Sequence, residues 1–74
     1  MFKPRLSFVA IRRNGLESFR FGEIGRVYHL TKSGNGFYHA EDVTYPDSPV
    51  RHNGWFFTRR LAVEHIMQDA AFHA

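Results

Sequence analysis

Five histidines and seven acidic residues are the first places to look for chemistry in this 74-residue chain. His29 and His39 flank the turn-forming run Ser33-Gly34-Asn35-Gly36. A hairpin turning about Gly34 would set them opposite each other, with Cβ atoms roughly 5 Å apart. Two imidazoles so placed could take a metal ion, with His52 or Glu41 as a third ligand. The spacing argues otherwise, because neither His-x-x-x-His nor Cys-x-x-Cys occurs. The expectation is two hairpin histidines paired with neighbours or water, no bound metal, and a surface whose charge changes near about pH 6.5.

Other reactive side chains are no better placed. Ser7, Ser18, Ser33 and Ser48 lack a glycine-flanked elbow of the Gly-x-Ser-x-Gly kind. Cysteine is absent, which removes thiol nucleophiles, thiolate metal sites and disulfides, and a reducing compartment is the simplest setting. The adjacent pair Glu41-Asp42 points to opposite faces of any extended segment and cannot share one substrate atom. No Gly-x-x-x-x-Gly-Lys phosphate loop is present. The chain is therefore expected to be non-enzymatic, with no catalytic residue and no cofactor.

What stands out instead is the interleaving of rings and cations. Eight Phe, three Tyr and one Trp share a chain this short. A domain of this size buries only roughly 60% of the surface its unfolded chain exposes, so some rings must lie at a surface. The densest run, Gly54-Trp55-Phe56-Phe57, leads into Arg59-Arg60, and similar mixtures occur at Phe19-Arg20-Phe21, Arg26-Val27-Tyr28 and Arg51-His52. Alternation places Phe8, Phe19, Phe21 and Val27 in the core. It leaves Tyr28 or Tyr38, Phe37, Tyr45 and one of Trp55 and Phe56 partly exposed. Interfaces favour Trp, Tyr and Arg, which makes Tyr38, Tyr45, Arg51, Trp55, Arg59 and Arg60 the expected partner-binding set.

The formal charge of +3 and pI near 9.8 suit an acidic partner, but no polybasic cluster exists. A protein partner, itself acidic or one that handles nucleic acid, is thus the first expectation. Direct nucleic-acid binding, by base stacking and phosphate contacts, is the second. An exposed strand edge or the C-terminal segment could also support a homodimer.

The elements that must position these residues read as one unit over 1–74. Residues Arg5 to Arg13 form a first strand, with Leu6, Phe8 and Ala10 on one face and Val9 and Ile11 on the other. Asn14-Gly15 supplies a tight turn. Phe19 to Phe21 is extended up to Gly22, a strand runs from Ile24 to Thr31, and Phe37 to Ala40 returns it as a hairpin. Asp42 to Asn53, with Pro46 and Pro49, reads as a long polar loop with room for an edge strand near Val43-Tyr45 or Val50-His52. Trp55 to Phe57 is the next strand. After it, two readings stand. Thr58 could cap a helix whose stripe is Ala62, Val63, Ile66, Met67 and Ala70, or one helical turn at Arg59 to Ala62 could precede a closing strand. The start, Met1-Phe2-Lys3-Pro4-Arg5, is followed by too short an apolar stretch for a signal peptide or membrane span, so a cytoplasmic location is expected.

In order, these segments resemble a Src-homology-3-type barrel. Phe8-Val9-Ala10-Ile11 stands where that family has its Ala-Leu-Tyr strand, and Ser18-Phe19-Arg20-Phe21-Gly22-Glu23 is similar to the Leu-Ser-Phe-x-x-Gly-Glu lead-in to the second strand. Phe37-Tyr38-His39-Ala40-Glu41-Asp42 resembles the Trp-Trp-x-Ala strand, and Gly54-Trp55-Phe56-Phe57 with Leu61 and Val63 resembles the family's ending. The resemblance covers about residues 7 to 66 and implies a mainly β fold, a small barrel of about five strands, with the choice after Thr58 between a short helix and a closing strand left open. It does not carry over the family's proline-rich peptide groove. Ile11 and Arg12 stand where groove tyrosines would be, Phe37 replaces the first tryptophan, Thr58 replaces the groove proline, and the acidic loop is reduced to Glu17. The small size resembles an accessory or inhibitor protein of a bacteriophage or mobile element.

Overall fold

The computed structural model describes residues 7–45, 47 and 51–74, and for 51–53 it describes the backbone alone. Five strands come in chain order: β1 (Val9–Arg13), β2 (Leu16–Phe21), β3 (Arg26–Lys32), β4 (Tyr38–Asp42) and β5 (Arg51–Phe56). Each pairs antiparallel with the next, giving one sheet of order β1-β2-β3-β4-β5. A helix, α1 (Arg59–Phe72), follows. The chain is thus mainly β with a C-terminal helix. Among the described residues the sheet does not close into the small barrel expected from the sequence, and β1 and β5 are its edges.

The turns explain the registers. Asn14 and Gly15 adopt φ of 52° and 78°, the left-handed pair that a two-residue hairpin demands, and they fix Arg13 opposite Leu16 and Arg12 opposite Glu17. Between β3 and β4 the Ser33 N–H donates to the Phe37 carbonyl at 2.8 Å, and the Phe37 N–H donates to Asn35 Oδ1 at 3.2 Å. This hairpin turns about Asn35 rather than Gly34, with Lys32 opposite Tyr38. The expected pairing of His29 with His39 is therefore displaced: His29 opposes Glu41, and His39 opposes Thr31.

Alternation then divides the sheet into two faces. One carries Glu17, Phe19, Phe21, Arg26, Tyr28, Leu30, Ala40 and Asp42, all buried. α1 lies against β3, β4 and β5 on this face and contributes buried Ala62, Ile66 and Ala70. Small side chains at Ala40, Ala62 and Ala70 let helix and sheet backbones approach closely. Phe8 packs its ring against Phe19 and Phe21 at 5.5 and 5.3 Å, and Phe21 meets Tyr28 edge-on at 5.7 Å. Among the described residues no helix covers the other face, and Val9, Ile11 and Trp55 stand exposed there.

This packing decides between readings left open and corrects other expectations. Of the two readings after Thr58 the helix is the one observed, with Ala62, Ile66 and Ala70 buried at helical spacing. Met67 of the expected stripe lies exposed. Val27 sits half-buried on the open face rather than in the core, and of the alternatives Tyr28 or Tyr38 it is Tyr38 that remains partly exposed while Tyr28 is buried. Arg26 leaves the set of surface cations: it is 7% exposed, and its guanidinium bonds Asp42. Pro46, Ser48, Pro49 and Val50 of the expected loop lie outside the described residues.

That buried pair extends into a chain of polar groups. Arg26 Nε donates to the Tyr28 phenol oxygen at 3.2 Å, and the phenol donates to Asp69 of α1. Asp42 accepts from the Thr44 backbone N–H at 3.0 Å and from the Thr44 hydroxyl. Burial alone would raise the Asp42 pKa, but the Thr44 hydrogen bonds and Arg26 outweigh it and hold the carboxyl below its ordinary range. Each polar group in this layer has a bonded partner, which is the condition for burying it without a large desolvation cost.

Candidate binding site

Both turns and the start of the helix lie at one end of the sheet. There β1 ends, β2 begins, β3 ends, β4 begins, β5 ends and α1 begins, so residues remote in sequence are brought together. Thr58 ends the strand run in an extended conformation and caps α1, its Oγ1 accepting the Leu61 N–H at 3.2 Å. That cap sets Arg59 at the helix start, facing Glu17 on β2. Arg59 donates from Nε and Nη2 to the two Glu17 carboxylate oxygens at 2.8 and 2.6 Å. Arg12, opposite Glu17 in the β1–β2 hairpin, adds a third bond at 3.2 Å.

Glu17 is 8% exposed, and the Arg59 hydrogen bonds, reinforced by both positive charges, hold its pKa below the ordinary carboxylate value despite burial. Arg59 is held correspondingly more basic by the same hydrogen bonds. Next to this pair, Lys32 and Tyr38 oppose each other at the β3–β4 turn, and the Lys32 ammonium lies 5.7 Å from the Tyr38 ring centroid. Together Arg12, Gly15, Glu17, Leu30, Lys32, Tyr38 and Arg59 line a cavity of about 200 Å³.

On the open face at the same end, Trp55 stacks on His39 with centroids 4.3 Å apart and planes 17° from parallel. Trp55 is nevertheless 58% exposed, and the following Phe57 is 76% exposed beside Phe37, at 5.1 Å. His39 Nδ1 also lies 3.1 Å from Glu41 Oε1.

The expected partner-binding set is thus partly assembled. Tyr38 and Arg59 line the cavity and Trp55 stands at the same end on the opposite face. Arg60 points outward from the helix, bonded to Glu64 at 3.3 Å. Tyr45, exposed, follows β4 at the far end and is not part of this cluster. Arg51 also begins β5 at the far end, and its side chain lies outside the described residues, as does that of His52. The sequence reading did not include Arg12, Glu17 and Lys32. The Asn14-Gly15 turn carried the signal for the first two, since a two-residue connection alone puts Arg12 opposite Glu17.

Among the described residues no group of three or more His, Asp and Glu side chains is arranged to hold a metal ion. Among them, too, no helix is long and apolar enough to cross a membrane. Comparison of the chain with protein-family models, curated proteins and solved structures returns no match.

Proposed function

We propose that this chain is a non-enzymatic binding module that docks a protein partner at the end of the sheet bearing Trp55, Phe57, Tyr38 and Arg59. Its role would be that of a small accessory or inhibitor protein, of bacteriophage or mobile-element type, acting in the cytoplasm. The observation that carries the reading is the exposure of Trp55 and Phe57 at the end of the sheet whose opposite face bears a cavity lined by Arg12, Lys32 and Arg59. Large rings in water cost free energy that a partner's apolar surface would recover, and rings next to arginines are the composition of interface hot spots. The reading does not depend on closing the sheet into a Src-homology-3-type barrel.

The test is affinity capture from the native host with the wild-type chain and with Trp55→Ala and Phe57→Ser. A partner retained by the wild type and lost by both variants supports the reading, and equal retention by all three sinks it. A second reading, nucleic-acid binding, draws on exposed Arg13 and Arg20 on the same open face as Trp55. Oligonucleotide titrations separate the two: tight, salt-steep binding would favour nucleic acid, and no binding at about 50 mM salt would end that alternative.

A further inference from the structure

The cavity between β1, β3, β4 and the start of α1 has a charge imbalance that the fold does not resolve. Arg12, Lys32 and Arg59 line it, and Glu17 is the one carboxylate among its lining residues. Glu17 already accepts three hydrogen bonds from the two arginines. Among the described residues no carboxylate lies within ion-pair distance of Lys32, whose ammonium sits over the Tyr38 ring. Arg12 keeps 69% of its side chain exposed and Arg59 keeps 44%, so both can take a further anionic oxygen.

The helix adds to the imbalance. Its first turn carries Arg59 and Arg60 and no acidic residue, so two cations stand at the pole where the helix dipole is already positive. An anion entering here would offset three side chains and a helix end at once.

Shape and lining narrow the kind of anion. A space of about 200 Å³ is below the roughly 300–1,000 Å³ of sites for drug-sized ligands, so it suits a side chain rather than a nucleotide. Leu30 and the Tyr38 ring give it apolar walls that match a short aliphatic stem. Arg59 already holds one carboxylate in this same wall in the forked geometry that suits planar carboxylates, and Arg12 adds a single bond to it.

We propose that the cavity receives a carboxylate from an acidic segment of the partner protein, an Asp or Glu side chain or a chain terminus. Lys32 and the exposed faces of Arg12 and Arg59 grip the oxygens, and Leu30 and Tyr38 cover the stem. The proposal rests on the protein-docking reading above and gives the partner its chemistry.

The experiment is a titration of the isotope-labelled protein, followed by amide resonances, with four probes at about 20 mM salt. These are an end-capped tetraglutamate peptide, an end-capped tetraglutamine peptide, inorganic phosphate and an eight-residue oligothymidylate. Saturable shifts at Gly15, Lys32, Tyr38 and Arg59 are expected with tetraglutamate and not with tetraglutamine. Lys32→Met and Arg12→Gln should each weaken that binding at least fivefold while the circular dichroism spectrum stays native. Absence of shifts at those residues, equal shifts with tetraglutamine, unchanged affinity in both variants, or tighter binding there of phosphate or oligothymidylate each overturns the proposal. Failure here is separable from failure of docking. If Lys32→Met still captures the host partner while Trp55→Ala does not, the carboxylate site falls and the docking surface stands.

Discussion

Arg59 holds Glu17 with a two-pronged bond across 42 residues of sequence, its Nε and Nη2 reaching the two carboxylate oxygens at 2.8 and 2.6 Å. This contact ties the start of α1 to β2, although the helix body packs on β3, β4 and β5. The same residue also lines the cavity, so the tie that positions the helix and the proposed recognition site share Arg59.

Removing that tie should cost stability even though Arg59 itself is half-exposed. Arg59→Ala leaves the buried Glu17 carboxylate with Arg12 alone, and a loss of about 1–2 kcal/mol is expected, the range for charge-assisted hydrogen bonds after discounting for solvent screening. Glu17→Gln should lose a similar amount. The double variant should lose less than the sum of the two, as urea unfolding of all four proteins would show. Additive losses would mean that the two side chains do not stabilise each other in solution.

Acid should weaken the fold through two carboxylates. The Glu17 hydrogen bonds to Arg59 lower its pKa from an ordinary 4.5. For Asp42, burial works upward, but Thr44 and Arg26 bring it below 3.8. Groups that ionise more readily when folded contribute stability that is complete above their unfolded pKa and is lost as pH falls through the folded one. Stability should therefore hold from neutrality to about pH 4.5 and then decline steadily. Urea midpoints measured between pH 7 and 2.5 should show a shallower decline in Glu17→Gln, and an identical slope would remove Glu17 from this account.

The contrast between these two carboxylates marks how far the sequence could be read. Asn14-Gly15 specifies a two-residue turn, which makes the Arg12–Glu17 contact legible from local chemistry. Nothing local links Arg26 to Asp42, sixteen residues apart, and a lone arginine between rings looks the same as one on a surface. The helix was legible only as one of two readings. Ala62, Ile66 and Ala70 fit helical spacing, while Val63, His65 and Met67 fit a strand. What decides is tertiary packing, the burial of Ala62, Ile66 and Ala70 together in the core formed with the sheet, which is a non-local fact. The cavity depends on Lys32, whose place follows from a β3–β4 turn centred on Asn35, one residue away from the glycine that the sequence suggested.

Tyr28 should behave as a buried phenol that cannot readily ionise. Burial, then the hydrogen bond to Asp69, push its pKa far above the ordinary value of 10, against the opposing pull of Arg26. A group whose folded pKa is raised stabilises the protein below the unfolded value and loses that contribution as pH climbs above it. Stability should therefore decline above about pH 10, and ultraviolet titration should show Tyr28 ionising only with unfolding. Tyr28→Phe removes both bonds, leaves Arg26 and Asp69 each without one partner, and should cost about 1–3 kcal/mol. A loss below about 0.5 kcal/mol would show that water replaces the phenol at no penalty.

Trp55 provides a direct optical readout of docking, because it is the only tryptophan in the chain. Exposed at 58% and held against His39 by one ring face, it should emit at long wavelength and be quenched readily by iodide in the isolated protein. Burial of its outer face under a partner should shift emission to the blue and protect it from iodide. Trp55→Ala removes one exposed ring and its stack on His39, so its effect on unfolding should stay within about 1 kcal/mol. Its effect on partner affinity should be larger, about 2 kcal/mol or more, as for a central interface tryptophan. If the partner binds with no change in emission or quenching, the docking surface lies elsewhere, and the far-end residues Tyr45 and Arg51 become the next to test.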